Sequence, residues 1–184
     1  MGFHTFPIDR ADALEDPTRY RFCSREELIE MLDVGSDATV ADLGSGTGFF
    51  TREVAPFVDT VYAVDVQAAM HERHREAGVA ENVELLTTEV DSLPFDDSEL
   101  DAAFSTMTHH EYATDEALLE IARVIRTGGR LVTVDWSASG TGADGPPVDE
   151  RFGPNEAVNQ LEEAGFTVER VHDRPETMAI VVRR

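Results

Sequence analysis

The chain contains no lysine. All 15 of its basic residues are arginine, against 37 acidic ones, for a formal charge of −22. Such a surface repels polyanions, and nucleic-acid binding normally rests on basic patches, so DNA and RNA are not expected as partners. A GC-rich genome would account for the missing lysine but not for the acid excess. That excess is expected of a protein adapted to high salt, where self-repulsion is screened over about 3 Å at 1 M. Cysteine is nearly absent too: Cys23 stands alone, which rules out a disulfide within the chain and fits a reducing cytoplasm. No apolar run approaches the roughly 18 residues that span a bilayer. The first residues, Met1 to Phe6, lack the basic and then apolar regions of a secretion signal, and Phe6 breaks the myristoylation pattern. A cytoplasmic protein with no membrane span, monomeric or homodimeric, is the expectation. A composition of 41% hydrophobic and 28% charged residues over 184 positions is that of one well-buried domain, 1–184.

What is present is concentrated in Asp42-Leu43-Gly44-Ser45-Gly46-Thr47-Gly48, between a β-like run (Thr39, Val40, Ala41) and a helical stretch from Phe49. Three glycines at alternate positions let a ligand lie against bare backbone amides, at a turn that aims the helix N-terminus at it. A second β-like run, Thr60 to Val64, ends on Asp65, 21 residues after Gly44, near the spacing of an acid that grips ribose hydroxyls. Together these read as a nucleoside-binding α/β domain. A dinucleotide fingerprint would place its last glycine where Phe49 stands. Asp42 would also repel a pyrophosphate, but it suits a cationic nucleoside such as S-adenosylmethionine.

The motifs that follow resemble the class I S-adenosylmethionine-dependent methyltransferases, of the branch that includes ubiquinone/menaquinone-biosynthesis enzymes. Val40 to Gly48 is similar to that family's first motif, and Val64-Asp65-Val66-Gln67-Ala68-Ala69-Met70 to its second. Thr88 to Phe95 resembles a segment usually read G-D-A-x-x-L-P-F, with Glu89 in the acidic place. Leu100 to Ser105 is similar to the fourth strand, and Ile125 to Val132 to the turn and fifth strand usually read L-K-P-G-G-x-L, with Thr127 in place of proline. The resemblance implies S-adenosylmethionine as cofactor and a small-molecule methyl acceptor. It implies that Asp42, Gly44, Ser45, Gly46, Thr47 and Gly48 hold the methionine end, Asp65 the ribose, Met70, Glu89 and Val90 the adenine, with Val66 also in the cofactor site. Ser105 would line the pocket through its backbone.

Patterning predicts a doubly wound, mainly parallel seven-stranded sheet. Strands are expected near 39–43, 60–65, 82–87, 100–105, 130–136, 166–172 and 177–183, with helices near 47–56, 67–77, 115–126 and 154–164. The last two strands are separated by too few residues for a crossover, which predicts a C-terminal antiparallel hairpin. Residues 1–35 read as an irregular arm and a helix opened by a capping box, Ser24 with Glu27. The Gly- and Pro-rich stretch 137–153 reads as a lid or a surface loop.

Met107-Thr108-His109-His110-Glu111-Tyr112 falls just after the fourth strand, where donor and acceptor should meet. A histidine there, His110 or its neighbour His109, is a candidate general base. Tyr20, Phe22 and Trp136 are candidates for an acceptor pocket. His71 and His74 share a helix face with no third ligand in view, so no metal is expected and a solvated face is. Two other readings stay open: a cofactor-binding protein without catalysis, and a nicotinamide-dependent oxidoreductase.

Overall fold

A computed structural model describes residues 5–184. Met1 to His4, on which the expected absence of a secretion signal partly rests, lie outside the described residues. The strands are β1 (Thr39–Leu43), β2 (Thr60–Asp65), β3 (Val83–Thr87), β4 (Leu100–Thr106), β5 (Ile125–Trp136), β6 (Thr167–Asp173) and β7 (Thr177–Arg183). They form one sheet in the order β3-β2-β1-β4-β5-β7-β6. β3, β2, β1, β4 and β5 are parallel, while β7 runs antiparallel to both β5 and β6, the expected terminal hairpin. Strand order reverses between β1 and β4, and in open α/β sheets ligands bind outside the carboxyl ends at such a switch point.

The helices are α1 (Arg25–Leu32), α2 (Phe49–Val54), α3 (Ala68–Ala77), α4 (His109–Tyr112), α5 (Asp115–Val124) and α6 (Pro154–Glu163). Alternate residues of the central strands feed two cores, one on each face. Ala41, Leu43, Ala103 and Leu131 meet Leu118 and Ile121 of α5 and Leu161 of α6. Val40, Ala102, Phe104 and Val132 meet Leu28 and Leu32 of α1 and Phe50 and Val54 of α2. Among the described residues no helix is long and apolar enough to cross a membrane.

Several local expectations change. The helix after the glycine turn is shorter than 47–56: it stops at Val54, and a 3-10 turn carries Ala55–Phe57 past Pro56. β5 begins at Ile125 rather than 130, because Ile125 already pairs with Leu100 ahead of a register shift. Half of the capping box forms. Ser24 Oγ accepts from the Glu27 amide at 3.2 Å, whereas the Glu27 carboxylate turns to Arg174 at 2.5 Å. The arm is two consecutive 3-10 segments, Ile8–Glu15 and Pro17–Arg21, the second capped by Asp16.

Candidate functional site

The glycine turn leaves β1 at its carboxyl end, where the Gly44 and Ser45 amides both donate to Val64 O at 2.9 and 2.8 Å. Side chains are excluded here from below. A Cβ on Gly44 would sit 2.2 Å from Thr108 Cγ2, and one on Gly48 would sit 2.2 Å from the His74 ring. Both residues also have positive φ, 75° and 82°, which only glycine adopts without strain. The turn is therefore bare because the protein fills the space behind it.

Asp42, on β1, is buried; its Oδ2 accepts from Thr51 Oγ1 of α2 at 2.6 Å, while Oδ1 has no partner among the described residues. Burial pushes its carboxyl up to about 7, against the pull of the Thr51 hydrogen bond and the Arg19 charge. An orphaned, desolvated carboxylate oxygen beside an open backbone turn is a place for a cation.

Asp65, at the end of β2, is joined to the same turn. Its Oδ2 accepts the Gly46 amide and its Oδ1 the Gln67 amide, each at 2.8 Å. Burial raises this carboxyl as well, with those two amides and His71 pulling the other way. A carboxylate has about four lone-pair positions, so two amide donors leave room for hydroxyls. Val66 is exposed at the neighbouring rim, and Glu89 stands exposed just past β3. Met70 and Val90 are buried, as is the Ser105 side chain, which faces Thr133 across the β4–β5 register.

The arm lies over this cleft. Phe6 O accepts from Gln67 Nε2 at 3.0 Å, and Leu14 Cδ1 comes within 3.2 Å of where a Gly46 Cβ would stand. Glu15 accepts from the Thr47 hydroxyl and pairs with Arg52 at 2.5 Å. Arg19 stacks its guanidinium over Phe49 and Phe50, 5.2 and 5.1 Å from the ring centroids.

Beyond β4 the chain takes a left-handed step at Met107 (φ 62°) and enters the single turn α4. Here His109 and His110 part company. His109 is fully buried against Tyr112 and Phe152, with neither ring nitrogen partnered among the described residues, and burial lowers its pKa to about 4. His110 keeps an edge open, and its Nδ1 lies 3.0 Å from Asp135 of β5. Burial alone would lower the His110 pKa, but the charge and hydrogen bond of Asp135, with Glu111 and Glu150, carry it above the usual value. Glu111 is pushed up to about 7 by burial, with His110 opposing and Asp135 and Asp65 adding to it.

Opposite the arm, the 137–153 stretch is tied down rather than loose. Arg151, buried under Trp136, donates to Pro146 O and Ser137 O and pairs with Glu176 at 3.4 Å. Arg21 of the arm pairs with Asp144 of this loop at 2.8 Å, and Phe22 meets Trp136 edge-on at 4.8 Å.

The expected Asp42, Gly44–Gly48 and Asp65 therefore form one connected unit, with Glu89 and Val66 on its rim. His71 and His74 do not lie on a solvated face. Both are buried, His71 on the Thr87 hydroxyl at 3.0 Å and His74 under Gly48, because this face of α3 packs against the glycine turn and β3. Arg19, Thr51 and Asp135 were not singled out by the sequence, and Thr108 was named only as part of the 107–112 cluster. Only Asp135 carried a signal, as an acid in the apolar run Leu131 to Trp136 at the carboxyl edge.

Known proteins are similar over much of this frame. A S-adenosylmethionine-dependent methyltransferase from Aquifex aeolicus superposes with a TM-score of 0.87 at 29% identity, covering 97% of this chain and 98% of that one. A geranyl diphosphate methyltransferase in complex with S-adenosylmethionine superposes with a TM-score of 0.76 at 20% identity, over 96% and 90% of the two chains, a likeness of fold alone. The ubiquinone/menaquinone biosynthesis C-methyltransferase UbiE of Pseudomonas savastanoi is 33% identical over 121 residues, 59% of this chain and 46% of that protein. The chain thus spans about half the length of the curated relatives it matches. Sheet order, terminal hairpin and glycine turn define the class as the Rossmann-like, class I methyltransferases. Residues 41–133 match the methyltransferase domain family, and the chain belongs to it.

Proposed function

We propose that this protein transfers a methyl group from S-adenosylmethionine to a small-molecule nucleophile, as a cytoplasmic monomer or homodimer. The observation that carries the proposal is the orphaned Asp42 Oδ1 beside a turn without side chains, which suits a cationic adenosyl compound and opposes a diphosphate. When bound, that cofactor supplies a methyl group already activated on a sulfonium. The protein is left to align the partners and exclude water. Asp42 and residues 44–48 hold the aminoacyl end, Asp65 takes the ribose hydroxyls with its remaining lone pairs, and Val66, Met70, Glu89 and Val90 frame the adenine, with Ser105 behind.

On the acceptor side His110 is the proton acceptor. Its Nδ1–H, held on Asp135, leaves the Nε2 lone pair free to take a proton from the nucleophile. The relatives are named for ubiquinone/menaquinone biosynthesis, and that name favours a quinone-related acceptor here. A nucleic-acid acceptor is disfavoured by the charge of −22. Isothermal titration with S-adenosylhomocysteine tests the cofactor assignment, with micromolar binding expected and lost in Asp65→Ala. Incubation with labelled donor and a metabolite extract tests the transfer. Tight binding with no label in any extract component would leave a cofactor-binding protein without catalysis.

A further inference from the structure

Resting on that cofactor reading, we infer that Arg19, on the N-terminal arm, is the ligand for the carboxylate of the cofactor's aminoacyl end. That end is a zwitterion, and a cleft walled by Asp42, Asp65 and Glu15 would reject its carboxylate unless a cation answered it. Two arginines stand at the glycine turn. Arg52 is already committed, donating to Thr47 O at 2.8 Å and pairing with Glu15 at 2.5 Å. Arg19 is not committed. Its guanidinium donates to Leu14 O at 2.8 Å and approaches Met107 Sδ at 3.7 Å, and among the described residues no carboxylate comes within salt-bridge distance of it. A guanidinium carries five N–H donors, so three remain.

Arg19 and Asp42 form an unjoined pair of opposite charges. They are near enough for each to act on the other's ionisation, yet neither is the other's hydrogen-bond partner. Burial lowers Arg19 to about 10, with Asp42 and Glu15 raising it, so it stays charged at neutral pH. Phe49 and Phe50 supply the rings that hold a desolvated guanidinium in place. An ammonium on the free Asp42 oxygen and a carboxylate on Arg19 would complete both halves of the pair. The arm thereby becomes part of the binding site.

The test compares two neutral-sulfur ligands by isothermal titration: S-adenosylhomocysteine, which has the aminoacyl end, and 5′-methylthioadenosine, which lacks it. In Arg19→Gln, S-adenosylhomocysteine should bind at least tenfold more weakly while 5′-methylthioadenosine binds as it does to the unaltered protein. Arg19→Lys should recover part of the loss, keeping the charge without the fork. Unaltered binding of S-adenosylhomocysteine in Arg19→Gln overturns the assignment. An equal loss for both ligands also overturns it, because it marks a residue that merely holds the arm. If neither ligand binds the unaltered protein, the cofactor reading itself is lost, and the Arg19 assignment with it.

Discussion

His110 and Asp135 are joined twice: the carboxylate of Asp135 accepts the His110 backbone amide at 2.6 Å and lies 3.0 Å from the Nδ1 of the same residue. The Trp136 amide donates to the other oxygen at 2.8 Å, so three donors fix this acid at the end of β5. The arrangement sets both the orientation and the basicity of the ring, whose Nε2 lies 3.9 Å from the Glu111 carboxylate.

A base must be unprotonated to act, so kcat/KM should rise with pH to a plateau, with its acid limb above the ordinary histidine value of 6.5 because His110 is shifted upward. Asp135→Asn removes the charge that opposes burial, so the limb should move to lower pH while the plateau falls roughly ten- to hundredfold. Stability runs in the opposite sense. The folded value exceeds the unfolded one, so the protonated pair contributes fully below 6.5 and the contribution fades as pH rises through the folded value. A pH–rate profile whose limb stays in place in Asp135→Asn would show that His110 is not the titrating group.

Asp42 is retained at a cost. Its carboxyl stands at about 7 against an ordinary 3.8, so ionising it at pH 8 takes on the order of 4 kcal/mol from the fold. Asp42→Asn should therefore raise Tm by several degrees at pH 8, with the gain shrinking as pH falls toward 4, where the unfolded chain also holds the proton. The same variant should bind S-adenosylmethionine at least tenfold more weakly, and the unaltered protein should bind it better as pH climbs through 7. Thermal melts and titrations at pH 5.5 and 8 check both arms; a stabilised variant with undiminished affinity would separate Asp42 from the ligand.

β1, β2 and β7 were legible because each is a short apolar run closed by turn residues, and all three fall where the pattern puts them. That Asp42, the glycine turn and Asp65 come together was legible for a related reason. A turn between a strand and a helix is local in sequence, and Asp65 lies at a fixed offset from it. What was hidden depends on residues far apart in the chain. Arg19 reaches Met107 across 88 positions, and His110 reaches Asp135 across 25. Helical spacing shows that His71 and His74 share a face, but not that the face meets the glycine turn. The helix 115–126 ends early at Val124 because Ile125 turns extended (ψ 131°) to join β4, a pairing no local propensity encodes.

The contact between Gly48 and His74 can be isolated by a double-mutant cycle. Gly48→Ala adds both a left-handed alanine and a collision with the His74 ring, which together should cost about 3 kcal/mol. In a His74→Ala background the collision is gone, and only the backbone penalty of roughly 1 kcal/mol should remain. Urea denaturation of the four proteins measures the coupling. Equal losses in both backgrounds would mean that the ring does not set the glycine requirement.

The surface charge governs how the fold responds to salt. A charge of −22 carried by 37 acids and 15 arginines repels itself over a screening length of about 30 Å at 0.01 M salt and about 3 Å at 1 M. Many of the arginines already pair on the surface, as Arg170 does with Glu30 and Arg126 with Asp101, and such exposed pairs are worth little each. The unbalanced acids therefore dominate the salt response, and Tm should climb steeply from low to molar KCl. Sodium sulfate at matched ionic strength should raise it further, since it also strengthens apolar burial. A flat KCl profile would mean that the acid excess is spread too thinly to burden the fold, and would remove the reason for reading it as adaptation to salt.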